Sequence, residues 1–258
     1  MRILVTNDDG VNAPGLKVLA DIARSLTDDV WIVAPDTNQS GASHSLTLHE
    51  PLRCMEVADK SFAVRGTPTD CVIMGVRHIL LNSPPDLILS GVNRGSNLAE
   101  DVTYSGTIAG AIEGSLLGIR SLALSQSIDY EAGDIHWETS LIHAPKIVRR
   151  MLDSDWNPSV LMNINFPALA PDDVKGVMVT VQGKRDQSLL HIDERFDNWK
   201  QPYYWFNFER RRSNPIEGTD LWAIYEGLIS VTPLTPNLTH LPATEALSGI
   251  FKPRGSTT

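Results

Sequence analysis

Two aspartates, Asp8 and Asp9, stand side by side just after a short apolar run, Ile3-Leu4-Val5-Thr6. Adjacent carboxylates at a strand end repel each other unless a proton or a cation lies between them, and a hard divalent ion is the natural occupant. Two other loops hold neutral oxygens for such an ion: Ser40 in Gln39-Ser40-Gly41, and Asn93 in Gly91-Val92-Asn93-Arg94-Gly95-Ser96-Asn97. An all-oxygen donor set of this kind suits magnesium, manganese or calcium and leaves positions for water and a substrate phosphate. A fourth segment, Tyr104-Ser105-Gly106-Thr107, runs straight into a helix, and a helix N-terminus with hydroxyls and unpaired amides accepts anions. Each segment also has a plainer reading. Asp8-Asp9-Gly10 can be a turn before a helix, Ser40 a loop serine, and Gly91 to Asn97 a long surface turn. The functional reading requires the loops to meet.

Their placement along the chain predicts that they do. Each loop follows a run with the signature of a strand buried on both faces, at residues 3–6, 30–34 and 87–90. In an open α/β sheet, ligands bind beyond the carboxyl ends of the strands, where the strand order reverses. Ala13-Pro14 opens a first helix with Leu16, Leu19, Ala20 and Ala23 at helical spacing, so the first 34 residues spell β-α-β. Residues 35–66 read as a polar loop and a hairpin excursion that includes Leu46-Thr47-Leu48. A capped helix starts at Thr67-Pro68, with Val72, Ile73, Val76 and Leu80 as its buried stripe, and another spans about 107–117. Strands at 121–124 and 160–166 complete a parallel sheet. Beyond about residue 180 the rhythm is lost, and Tyr203-Tyr204-Trp205-Phe206 and Arg210-Arg211-Arg212 suggest an arm or hairpin. The expected organisation is an α/β core over 1–180 and an extension over 181–258.

Composition excludes several classes. The 258 residues carry 22 basic and 31 acidic side chains, a net charge of −9, so the long-range field repels polyanions and no long nucleic acid is expected as a partner. No apolar run approaches the roughly 20 residues that span a bilayer. Two cysteines without metal-type spacing, Cys54 and Cys71, and no leader-like start predict a reduced, cytoplasmic protein. Walker, dinucleotide, nucleophile-elbow and zincin motifs are absent from the sequence. His44 is the one histidine in a candidate loop, and it is expected to be structural.

The ordered set of motifs resembles the SurE survival proteins, metal-dependent nucleoside monophosphate phosphatases. The resemblance rests on Ile3 to Gly10, Ala34-Pro35 with Gln39-Ser40-Gly41, Gly66 to Val72, Ser90 to Asn97, Tyr104 to Thr107, Asn163-Ile164-Asn165-Phe166-Pro167, Thr219-Asp220 and Ile229 to Leu234. It implies a Rossmann-like, three-layer core with a β-rich C-terminal arm exchanged between subunits of a homodimer or homotetramer. It implies one divalent ion per subunit, magnesium or manganese, held by Asp8, Asp9, Ser40 and Asn93. Asn12 joins Asp8 and Asp9 as a catalytic position, and Gly41, Asn93, Ser105, Gly106 and Thr107 become substrate and phosphate positions. Nucleoside 5′-monophosphates and 3′-monophosphates are the implied substrates, with a metal-activated water attacking phosphorus. The alternative is a metal- and nucleotide-binding module without turnover. One departure falls in the arm: Asp197-Asn198-Trp199-Lys200 stands where many members carry Asp-Pro-Arg-Gly.

Overall fold

Strand β1 (Arg2–Thr6) sends Ile3 and Val5 into one apolar cluster and Leu4 into another, so both faces of the sheet are covered from its centre outward. The computed structural model describes residues 1–129, 132–185, 190–208 and 214–251. Helix α1 (Pro14–Arg24) follows, with proline in its first turn and Leu16, Leu19, Ile22 and Ala23 buried, and then β2 (Asp29–Pro35). A hairpin, β3 (Cys54–Ala58) and β4 (Ser61–Val64), leads to α2 (Pro68–Met74), which continues through one wider turn to Ile79. The core continues with β5 (Leu87–Arg94), α3 (Gly106–Leu116), β6 (Arg120–Gln126), α4 (Trp137–Leu152) and β7 (Leu161–Phe166).

Among the described residues the main sheet has the order β3-β4-β2-β1-β5-β6-β7, and then β11 (Ile229–Leu234) and β8 (Val177–Val179) at the far edge. The inner pairs, β2-β1, β1-β5, β5-β6 and β6-β7, are all parallel. The chain moves outward from β1 to β2 and returns to β5 on the opposite side, which makes the β1-β5 junction the switch point. Helices α1 and α4 cover one face and α2 and α3 the other, giving three layers.

Two expectations change. The hairpin excursion is β3-β4, and Leu46 and Leu48 stay outside it, exposed. Thr47 gives both its N–H and its hydroxyl to the Asp70 carboxylate, at 3.1 and 2.6 Å, which takes its backbone out of any ladder. The change of character near residue 180 also does not mark the sheet's edge. α5 (Asp220–Tyr225) packs on β11, and β11 pairs antiparallel with β7 inside the sheet. The arm proper is the separate antiparallel pair β9 (Leu190–Phe196) and β10 (Pro202–Phe208). The departure at 197–200 forms its turn, where Asp197 Oδ1 accepts from the N–H groups of Trp199 and Gln201 at 2.8 and 2.9 Å. A short helix α6 (Leu241–Ser248) is exposed throughout. The three arginines at 210–212 lie outside the described residues, and no described helix is long and apolar enough to cross a membrane.

The N-terminus of α2 illustrates how local chemistry places a loop. Thr67 and Asp70 form a reciprocal capping box, and the Thr67 hydroxyl also donates to the Ser45 carbonyl at 2.8 Å. Thr67→Ala removes both contacts and is expected to cost about 1–2 kcal/mol. A urea unfolding curve checks this, with a lowered midpoint at unchanged slope as the expected result and an unchanged midpoint as the contrary one.

Candidate metal and phosphate site

The loops after β1, β2 and β5 and the N-terminus of α3 meet at the switch point. Asp8 is buried, and its Oδ1 accepts the Thr107 hydroxyl at 2.5 Å across the β1-α3 gap. Gly106 stands so close that a Cβ there would lie 2.7 Å from the Asp8 Cβ and 3.0 Å from its Oδ2. Glycine is what lets the helix end approach the carboxylate. From the β2 loop, the Gln39 N–H donates to the Asp8 carbonyl at 2.8 Å, and the Val11 N–H donates back to Pro35 at 2.7 Å. From the β5 loop, the Arg94 N–H donates to Asp9 Oδ2 at 3.2 Å. The β2 and α3 loops are tied together as well, with the Ser43 hydroxyl on the Thr103 carbonyl at 2.7 Å and its N–H on the Tyr104 carbonyl at 3.3 Å.

Strand β5 runs further than its apolar core predicts. It breaks register after Ser90 and resumes with Asn93 opposite Ser125 and Arg94 opposite Gln126, which carries Asn93 and Arg94 beyond the end of β1 toward Asp9. Helix α1 touches the same segment, where a Cβ on Gly15 would fall 1.9 Å from the Val92 carbonyl oxygen. The Asn93 amide nitrogen donates to the Gly95 carbonyl at 2.9 Å, so its carbonyl oxygen is the atom left for a ligand. At the head of α3 the Ser105 hydroxyl caps the Ile108 N–H at 3.1 Å and the Thr107 N–H is turned to the Asp8 carboxylate, which leaves the Gly106 N–H to an anion.

Electrostatics favour a cation here. Burial pushes the Asp8 carboxyl up to about 6; the Thr107 hydroxyl opposes that rise, and the charge of Asp9 adds to it. Burial also raises Asp9, against the N–H and the guanidinium of Arg94. Two neighbouring carboxylates held above their ordinary range are what a bound divalent ion would relieve. The described residues contain no group of three or more His, Cys, Asp or Glu placed to hold a metal. The donor set is instead two carboxylates with neutral oxygens, which fits a hard cation that retains water and binds phosphate.

Of the residues singled out by the sequence, Asp8 and Thr107 are hydrogen-bonded to each other, Asp9 is hydrogen-bonded to Arg94 next to Asn93, Gly106 lies against Asp8, and Ser105 caps the helix that Gly106 begins. Ser40 follows Gln39 on an exposed turn with Gly41 open to solvent, and Asn12 is exposed. His44 has a structural partner, Glu113 of α3, at 3.0 Å. Sequence reasoning passed over Arg94 as one residue of a glycine-asparagine loop. Asp70 was legible as part of the start of α2, but not its reciprocal cap on Thr67, for which the Thr67-to-Asp70 spacing was the signal.

Fold and site together define a doubly wound α/β protein with a carboxylate pair, a glycine-asparagine loop and a helix N-terminus gathered at the switch point. The family model described as Survival protein SurE matches residues 3–189, and the chain belongs to the SurE family. It is 56% identical over 254 residues to the 5′-nucleotidase SurE of Methylobacterium nodulans, covering 97% of this chain and 100% of that one. It is also 56% identical over 253 residues to the 5′-nucleotidase SurE of Caulobacter vibrioides, covering 97% and 96%. The crystal structure of the SurE protein from Aquifex aeolicus superposes with a TM-score of 0.85 at 39% identity, covering 97% of this chain and 99% of that one.

Proposed function

We propose that the chain is a metal-dependent 5′-nucleotidase that releases phosphate from nucleoside 5′-monophosphates, with 3′-monophosphates as further substrates. The observation that carries this reading is the Asp8-Thr107 contact, which fixes a carboxylate against a helix N-terminus at the switch point. The relatives named 5′-nucleotidase SurE support the substrate class. Asp8, Asp9, Ser40 and Asn93 would hold a magnesium or manganese ion. When bound, such an ion offsets phosphoryl charge and lowers the pKa of water. The Gly106 N–H holds a phosphate oxygen as charge spreads over the group, and the Arg94 guanidinium adds positive charge beside Asp9. Asp8 Oδ1 is committed to Thr107, so Asp9, held by a single N–H, is the carboxylate placed to accept a proton from the attacking water. Asn12, exposed at the rim, orients substrate. We place the protein in the cytoplasm, as a homodimer or homotetramer built through the arm, whose Phe196, Tyr204, Trp205 and Phe206 are exposed in the single chain.

The test is phosphate release from a panel of 5′- and 3′-monophosphates and short polyphosphate, first with chelator and then with added magnesium or manganese. Release restored by metal is expected for the monophosphates. Metal and nucleotide binding without release by any metal would instead make the protein a non-catalytic binding module.

A further inference from the structure

Asp220 is fully buried, and the chemistry proposed above makes no use of it. It opens α5, yet its carboxylate serves three segments. Oδ2 accepts the Ala99 N–H at 2.9 Å, while Oδ1 accepts the Gly183 N–H at 2.8 Å and the Leu221 N–H at 2.7 Å. Ala99 is gripped from its other side too, where Gln182 Nε2 donates to its carbonyl at 3.0 Å. Its φ of 51° lies in the left-handed region that non-glycine residues seldom adopt, so the turn is held by residues 182 and 220 and not by any preference of alanine. The next residues are tied to the same side of the molecule. Glu100 accepts the Arg185 N–H at 3.0 Å, and Asp101 forms an ion pair with the Arg185 guanidinium.

Upstream, Asn97 is fixed by buried amides. Its N–H donates to Asn165 Oδ1 at 2.8 Å, and its carbonyl accepts from Asn163 and Asn165 at 2.9 and 3.1 Å. The segment 97–101 is therefore anchored along its length, and it is the piece of chain that joins Asn93 to the Ser105-Gly106-Thr107 turn.

We infer that Asp220 is a positioning residue for the site, holding Ala99 on one side and Gly183 on the other so that Asn93 and the head of α3 keep their places relative to Asp8. The same carboxylate links the site to the residues that lead into the β9-β10 arm, with Arg185 as a second clasp. The kinetic part of this inference rests on the nucleotidase reading; the structural part does not.

The test uses the full chain with Asp220→Asn, which keeps one acceptor oxygen and turns an NH2 group toward an N–H donor. Arg185→Gln loosens only the outer clasp. Val148→Ala, in the buried face of α4, is a stability control remote from this segment. Amide hydrogen exchange, thermal midpoint and the kcat and KM of manganese-supported release are measured for each. In Asp220→Asn, exchange is expected to speed up together in 97–107 and 183–185, and kcat to fall about 10- to 100-fold with KM changed less than about threefold, as a displaced reacting group requires. Val148→Ala is expected to lower the midpoint with kcat within about twofold of wild type. The inference is overturned if Asp220→Asn loses stability as the control does while exchange in 97–107 and kcat stay at wild-type values. Should Asp220→Asn not fold, Arg185→Gln decides with the same readouts, a smaller local rise in exchange and about a threefold fall in kcat supporting the inference and neither overturning it. If the wild-type protein releases no phosphate, the nucleotidase reading fails, and the exchange pattern alone still decides whether Asp220 positions the segment.

Discussion

Asp8→Asn is expected to reduce metal-restored phosphate release by about 10³-fold, equivalent to about 4 kcal/mol of transition-state stabilisation. The same change is expected to stabilise the metal-free protein at neutral pH. Burial raises the Asp8 carboxyl from 3.8 to about 6 in the folded chain, so the native state holds this proton more tightly than the unfolded one does. The contribution of the group to stability is therefore fully present below pH 3.8 and is lost as the pH rises through 6, leaving a penalty of about 3 kcal/mol at pH 7.5. Asparagine keeps an oxygen for the Thr107 hydroxyl and carries no charge to bury. With chelator present, wild type and variant should have similar urea midpoints near pH 4, and the variant should be the more stable at pH 7.5. Saturating manganese should reverse the order at pH 7.5, because only the wild type gains from the ion. A stability difference that does not change between the two pH values would show that the Asp8 carboxylate is not desolvated in the native state, and would remove the electrostatic argument for a cation beside it.

The parts of this site that were legible in the sequence are those set by local chemistry. The apolar run before Asp8-Asp9, the proline and stripe of α1, the Thr67 cap and the hydroxyl-glycine entry to α3 each reflect neighbours within a few residues. The convergence of the loops was also legible, because buried parallel strands leave one place for a ligand to bind. What escaped depends on partners distant in the chain. Thr47 sits in an alternating stretch that reads as a strand, and its N–H is taken by Asp70 instead. In β11, Ser230 and Thr232 look like a solvent-facing side, yet they lie buried in a hydroxyl cluster with Thr180, at 2.8 and 2.7 Å from its Oγ1. The strand reads as part of the extension because the β-α rhythm ends near residue 180, and its pairing with β7 joins residues far apart in the chain. Asp220 stood out only as half of a short motif, since its three N–H partners come from Ala99, Gly183 and Leu221 and no sequence spacing unites them.

Gly106→Ala is expected to lower kcat about 10²-fold and to cost stability as well. The added methyl would meet the Asp8 Cβ at 2.7 Å and its Oδ2 at 3.0 Å, both inside contact distance, so either the carboxylate or the head of α3 must move. Displacement of a reacting group by about 1 Å costs rate on the order of 10²-fold. Overpacking of this kind also costs about 1–3 kcal/mol of stability, and at the first position of the helix, after the Ser105 cap, alanine offsets little of it. The fall in kcat should persist well below the thermal midpoint of the variant, where the chain is folded, a pattern that general unfolding does not produce. Gly110→Ala, one turn further along α3, provides the contrast. Its methyl would press on Ser90 Oγ at 2.8 Å and Thr6 Cγ2 at 3.1 Å beneath the site, and a loss of stability is expected to dominate there. Rate assays and thermal midpoints of the two variants measured side by side decide the matter. If Gly106→Ala retains wild-type kcat, the close approach of α3 to Asp8 serves packing alone, and the phosphate must be held by groups other than the Gly106 N–H at the head of that helix.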